Sequence, residues 1–415
     1  MKMYKVILLA ILLSIHVQYL VAQNNKEDEV YNIIYSDNFK ADKGNWIPEF
    51  ENSYTSSISI GKGQLDLNTS AGATVWCKEK FYGNIMITYD VTIVDSGGVN
   101  DRVSDLNAFW MASDPADKNI FTRDGKFSSY DNLSLYYAGV GGHDNETTRF
   151  RKYFQNGERP VIIEYLDKEH LLEGNKKYSV KITVQEGRTT YYLNNKLFFD
   201  YTDNKPLSEG YFGFRTTRSH QQFENFKVFT LPAVDNEYVR VFHNWAACTQ
   251  AHIPDFGARV IVALTKVNIE SSRGELNLNR GEIAVFLPDE SYNAPSGEYF
   301  EVAFKLKHPP LKSPEQWLEP VKNKIVYEDE QFRVFEERLD PEDTRTLHSH
   351  AQRVVVRLNE VQLTDPRFHP NGTPGGGIQV PNTVRFAEPV VHVVKNLSKE
   401  LALFNIVIEF KIPHK

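Results

Sequence analysis

Between Tyr35 and Thr230 apolar residues return at every second position in short runs, punctuated by Gly, Asn and Asp. In Tyr178-Ser-Val-Lys-Ile-Thr-Val the alternation is strict, so one row of side chains faces a core and the other faces water, as on a half-buried strand. Runs at 57–61, 63–69, 74–81, 84–94, 133–140, 189–202, 210–217 and 224–231 read the same way. Scarcely any stretch repeats apolar residues at the helical period, which predicts an all-β sandwich or barrel. Leu193-Asn194-Asn195-Lys196, between two aromatic runs, predicts a hairpin.

Past Leu231-Pro232 the texture changes and the chain repeats itself. Tyr238-Val-Arg-Val-Phe242 returns as Phe332-Arg-Val-Phe335, and Arg259-Val-Ile-Val-Ala-Leu-Thr-Lys-Val-Asn-Ile269 as Arg353-Val-Val-Val-Arg-Leu-Asn-Glu-Val-Gln-Leu363, at offsets of 93 and 94 residues. A proline-rich, charged stretch from His308 to Lys324 joins the copies, with Trp317 expected on a short helix. The pattern sets four segments: 1–22, a first domain over 24–232, and two β-units over 233–311 and 325–415.

The first segment is a leader. Lys2 and Lys5 precede an apolar run from Val6 to Ile15, and Leu20-Val21-Ala22 ends on a small residue, so a signal peptide cut after Ala22 is expected. That run is about ten residues, short of the roughly 20 a spanning helix needs, and no later segment approaches that length. A secreted or periplasmic protein without membrane insertion follows, and no Cys at the cut suggests a lipid anchor. Losing Lys2 and Lys5 takes the net charge from −7 to −9, which argues against nucleic acid as a partner. The chain is 41% hydrophobic and 13% aromatic, enough for packed cores. Cys77 and Cys248 fall in different domains, so stability is expected from those cores, not from a disulfide framework. Nothing here sets an oligomeric state.

The second β-unit carries His348-Ser349-His350, then Gly377 and Pro381, then His392-x-x-x-Asn396. Alternation puts His348 and His350 on one strand face, and with His392 on a facing strand three imidazoles converge. The order and spacing resemble the two motifs of the cupin family, which implies a pair of double-stranded β-helix barrels here. It also implies one divalent transition metal on His348, His350 and His392, and no other cofactor. Val354-Val355-Val356 stands where the family carries a Glu after the first motif. In the first β-unit the matching stretch reads Gln250-Ala-His252-Ile-Pro, and the position matching His392 falls on Tyr299, so that barrel is expected to be a structural partner.

In the first domain three polar segments stand out, 97–112, 136–153 and 210–220. They gather Arg102, Arg149, Arg151, Arg215 and Arg218 among Trp110, Tyr136, Tyr137 and Tyr153. A guanidinium fork suits a carboxylate or sulfate, and aromatic faces suit pyranose rings, so an acidic poly- or oligosaccharide is the expected partner. Trp110, Tyr136, Arg151 and Arg215 are the candidate binding residues. With Tyr35-Ser-Asp-Asn-Phe39 and Trp46, these segments resemble the concanavalin A-like jelly-roll domains of bacterial polysaccharide-degrading systems, over about Tyr35 to Thr230.

That superfamily holds polysaccharide lyases, glycoside hydrolases and noncatalytic sugar-binding modules, and each implies a different use of the face. The Glu-x-Asp-x-x-Glu strand of its retaining hydrolases is missing. β-Elimination from a uronate needs a group that neutralises the carboxylate, a base for the α-proton and an acid for the leaving oxygen. Arg102, Asn107 and Arg149 suit the first role, and Tyr137, His143 and His220 the others. Lyase action leads the reading. Hydrolysis, glycan binding without catalysis, and a metal-dependent sugar chemistry in the cupin stand beside it.

Overall fold

A computed structural model describes residues 33–244, 256–293, 295–319, 323–369 and 378–411. The expected leader over 1–22, Cys248, His252 and Gly377 lie outside them. The described chain is built almost entirely of β-strands and divides between Leu231 and Pro232 into two compact units.

The first unit is a jelly-roll-like sandwich. Its strands run in the order Lys196–Thr202, Arg188–Leu193, Lys177–Gln185, Ile85–Ile93, Glu209–Thr230, Leu106–Ser113, Ser134–Gly141, Thr147–Phe154, Val161–Tyr165. The runs at 210–217 and 224–231, separate in the sequence pattern, form one strand that belongs to both layers. Its first half pairs with 106–113 and its second half with 85–93, and the register shifts between Thr217 and Ser219, where Arg218 is left-handed at φ 42°. Gln64–Tyr82 is likewise continuous and pairs with it along both halves. The predicted hairpin is present, with Leu193 opposite Lys196 and both asparagines left-handed.

Between the layers lies the main core. Val75, Ala108, Trp110, Tyr136, Phe150 and Phe214 of one layer meet Ile87, Tyr89, Val91, Val180, Ile182 and Tyr191 of the other. Cys77 is a buried free thiol in this core. The outer face of the first layer carries a second apolar cluster, Trp76, Phe109, Leu135, Tyr137 and Tyr153, partly covered by the segment holding Ile120 and Tyr130.

In the second unit the sequence repeat returns as strand pairing. Val239–Asn244, Tyr299–Lys305, Phe256–Ala263 and Ile283–Phe286 are consecutive in one five-stranded sheet, and Phe332–Leu339, Leu403–Phe410, Arg353–Arg357 and Thr383–Ala387 are consecutive in another. Arg240 and Arg259 flank Ala303 as Arg333 and Arg353 flank Glu409. Counting from these pairs, Ala263 opposes Tyr299 as Arg357 opposes Asn405. Tyr299 therefore holds the place of Asn405, not of His392. Unequal loops between the repeats displaced the sequence alignment. One face of each sheet joins a shared core of Val241, Val260, Phe304, Val334, Val354 and Ile408. Trp317 lies on irregular chain rather than a helix, and the Arg333 guanidinium sits 5.5 Å from its ring.

Candidate functional sites

On the outer face of the sandwich, strand register gathers residues from distant segments into two rows. Thr74, Arg215, Asn107, Gly139, Arg149 and Glu164 oppose one another in turn across six strands. Trp76, Gly213, Phe109, Tyr137 and Arg151 form the next row on the same face.

Arg215 is 1% exposed. Its Nη1 donates to Thr74 Oγ1 at 3.2 Å and to the Gly125 carbonyl, its guanidinium lies over the Phe127 and Tyr130 rings, and its Nε has no partner. Asn107 Oδ1 is also buried without a partner. Gly139 lets the Tyr137 hydroxyl sit close to Asn107, because a Cβ there would fall 2.2 Å from that hydroxyl and 2.9 Å from Asn107 Oδ1. Burial, with Tyr153 and Asp105 nearby, pushes the Tyr137 phenol well above its ordinary range and keeps it protonated. Buried Glu49 accepts from Trp76 Nε1 at 2.8 Å, from the Tyr130 hydroxyl at 2.7 Å and from the Arg123 amide at 2.7 Å, which fastens the covering segment. Sequence reasoning missed Glu49 and Tyr130, because no local pattern ties residues 81 positions apart.

The remaining sandwich candidates do other things. Trp110 and Tyr136 are not on this face: both are buried in the inter-layer core, Trp110 Nε1 bonding Thr189 and the Tyr136 hydroxyl bonding Asp203. Neighbouring strand residues face opposite ways, and these two have the parity opposite to Asn107 and Tyr137. Arg102 does not face a ligand either. It clamps Asp105, Asp144 and the carbonyls of Thr217 and Arg218. His220 bridges two carboxylates, 3.0 Å from Asp101 and 3.0 Å from Asp66. Arg149 stands in the row, but its Nε is taken by Glu164. Exposed His143, on a turn at φ 54°, comes within 3.4 Å of Arg149 Nη1. Arg151 joins the second row and donates to the Arg159 carbonyl.

The second unit holds a more compact site. The ligand atoms of His348, His350 and His392 lie within 4.8 Å of one another. His348 and His350 share one face of Thr344–His350, and His392 sits directly opposite His348 on Val390–Asn396. His392 thus comes from the paired neighbouring strand, not a facing one. His348 Nδ1 donates to the Thr346 carbonyl at 2.7 Å, and His350 Nδ1 donates to Glu409 Oε2 at 2.8 Å. These bonds put the proton on Nδ1 and leave Nε2 with its lone pair. The Nε2 atoms of His348 and His392 are buried without partners. Burial lowers the basicity of all three rings, and with His348 and His350 adjacent His392 is pushed down to about 2. Neutral imidazoles with inward lone pairs are the donor set a borderline transition metal takes. Glu409, gripped by Arg333 at 2.7 Å, supplies a carboxylate behind His350 that the sequence motif did not reveal.

The first β-unit carries no such group among its described residues. It instead buries Glu301, which accepts from the Tyr292 hydroxyl at 2.7 Å. Burial raises this carboxyl from 4.5 to about 7. Between those values the folded state holds a proton that the unfolded chain has released, so stability falls as pH rises through the window and levels off above it. The expected loss is about 3 kcal/mol at most. Urea unfolding of the second unit at pH 5 and pH 8 measures it, and Glu301→Gln should flatten the profile. An unchanged slope in that variant would place the effect elsewhere.

Residues 67–226 match a family described as a domain of unknown function, DUF6250. No curated protein matches the chain. Among solved structures the chain is similar to a Bacillus subtilis protein of unknown function with a galectin-like fold, at 17% identity and a TM-score of 0.40, over 48% of this chain and 96% of that one. It is also similar to the carbohydrate binding module CBM66 from Bacillus subtilis, at 20% identity and a TM-score of 0.33, over 45% and 96% of the two chains. The endo-β-1,3-glucanase of Pyrococcus furiosus aligns at 10% identity and a TM-score of 0.36, over 48% and 94%.

Proposed function

We propose that this chain is a carbohydrate-active protein whose sandwich takes an acidic saccharide on the outer face around Asn107, Tyr137, Arg151 and Arg215. The observation that carries this reading is the pair of buried polar atoms without partners, Asn107 Oδ1 and Arg215 Nε, beside the Tyr137 hydroxyl. A buried polar atom left unpaired costs about 1–3 kcal/mol, a cost that a ligand's hydroxyl or carboxylate would relieve. β-Elimination is the reaction we assign to the face. Arg215 would neutralise the uronate carboxylate, Asn107 Oδ1 would accept from a substrate hydroxyl, protonated Tyr137 would give its proton to the leaving oxygen, and His143, 3.4 Å from Arg149 of the same row, would act as base.

The test is incubation of the purified chain with uronate-containing and neutral polysaccharides. New ultraviolet absorbance from an unsaturated uronate is the expected result. Asn107→Ala and Tyr137→Phe should each lower turnover at least about tenfold while the domain stays folded. Retention on the glycan without products would leave recognition and remove the reaction. No retention on any glycan would remove both.

A second reading rests on the histidine centre. We read the two β-units as cupin barrels, the C-terminal one holding a divalent transition metal on His348, His350 and His392. The two unpartnered Nε2 atoms support it. Such an ion supplies Lewis acidity toward a coordinated oxygen. The chain's own contribution is to hold three neutral imidazoles together, with His348 and His350 in fixed tautomers.

A further inference from the structure

We propose that Arg357 and Arg385 form a carboxylate-binding end to the histidine pocket, so that its ligand is a small organic acid of the sugar-acid class. The metal centre proposed above, on which this reading builds, would take only the other end of that ligand.

Strand parity puts both arginines on the histidine side of their sheet. Val354, Val356, Val384 and Phe386 pack into or against the shared core, so Arg353, Val355, Arg357, Arg385 and Ala387 point the other way. On that side Phe335, Val407, Val355 and Arg385 oppose one another in turn. Phe335 stacks on His350 with centroids 6.0 Å apart and planes at 10°. An apolar floor therefore runs from the imidazoles to Arg385. Arg357 lies two residues beyond Val355 on the same face, diagonal to Arg385 across the Arg357–Thr383 pair.

Charge makes this end unusual. The other interior arginines have acidic partners or carbonyls: Arg333 has Glu409, Arg345 has Glu337, and Arg353 bonds the carbonyls of Ala351 and Glu388. The side chains of Arg357 and Arg385 make no hydrogen bond or ion pair among the described residues. Burial, and then the like charge of Arg385, lowers Arg357, and no carboxylate acts against them. Two guanidiniums at diagonal positions on one sheet face, with no carboxylate paired to either, repel, and a carboxylate taken by both forks reverses the sign of that interaction.

Isothermal titration of the full chain with D-galacturonate, and with neutral D-galactose as control, tests the assignment. Galacturonate should bind and galactose should not. Arg357→Gln with Arg385→Gln should weaken galacturonate at least about tenfold, with metal content and unfolding midpoint unchanged. Exposed Arg385→Gln alone should give a smaller loss in the same direction and guards against a misfolded double variant. Equal binding of the two sugars, no binding of galacturonate, or undiminished binding in the variants would overturn the proposal. A wild-type chain without metal that still binds galacturonate through these arginines would remove the metal reading and leave the carboxylate site.

Discussion

A chain carrying both His348→Ala and His392→Ala is expected to purify without transition metal, while the unaltered chain holds about one ion per molecule. The two replacements remove two of the three converging nitrogens, and a single imidazole from His350 cannot retain an ion against water. His348 is fully buried, so the variant should also lose stability, and metal content is read on protein that still shows a cooperative unfolding transition. Glu409→Gln is the milder companion. It keeps the size of the group behind His350 but removes its charge, and metal affinity should fall by about 10–100-fold. Elemental analysis and competitive chelation read both effects. Undiminished metal in the double-alanine chain would place the ion somewhere other than this triad.

The second large effect is on stability. Lys152→Met should destabilise the sandwich by about 3–5 kcal/mol, because it strips the cation from a buried ion pair. Lys152 Nζ lies 2.6 Å from Asp203 Oδ2, with side chains 5% and 1% exposed, and the Tyr136 hydroxyl donates to the same oxygen at 2.6 Å. Lys152→Met combined with Asp203→Leu should recover most of the loss, since no bare carboxylate then remains in the core. Urea unfolding of the single and double variants measures the difference. A single-variant loss under about 1 kcal/mol would mean that Asp203 reaches water. The same pair explains why Tyr136 serves the core: its hydroxyl is committed to Asp203 and to the Leu207 amide.

Much of this architecture was legible without coordinates, for reasons of periodicity. Alternation at Tyr178–Val184 depends only on the two-residue period of a strand, so strands were readable one at a time, and the asparagine hairpin was readable because left-handed backbone selects its residues. Layer membership was not. Whether 210–217 and 224–231 are two strands or one depends on the bend at Arg218, which long-range pairing sets.

The candidate sites divide along the same line. The histidine triad was readable because two of its members are neighbours on one strand and the third sits in a recognisable motif, all within 45 residues. The sandwich residues were readable as a chemical inventory, arginine forks among aromatics, but not as an arrangement. The sequence by itself determined the strand periods, the internal repeat and the histidine motif, since each is written within a short span of chain. Only the tertiary structure decided that Trp110 and Tyr136 are core, that Arg102 and His220 are tied to carboxylates, and that Asn107, Tyr137 and Arg215 share a face. Those outcomes depend on register between segments up to 154 positions apart, and a one-residue slip in register turns every side chain of a strand to the other face.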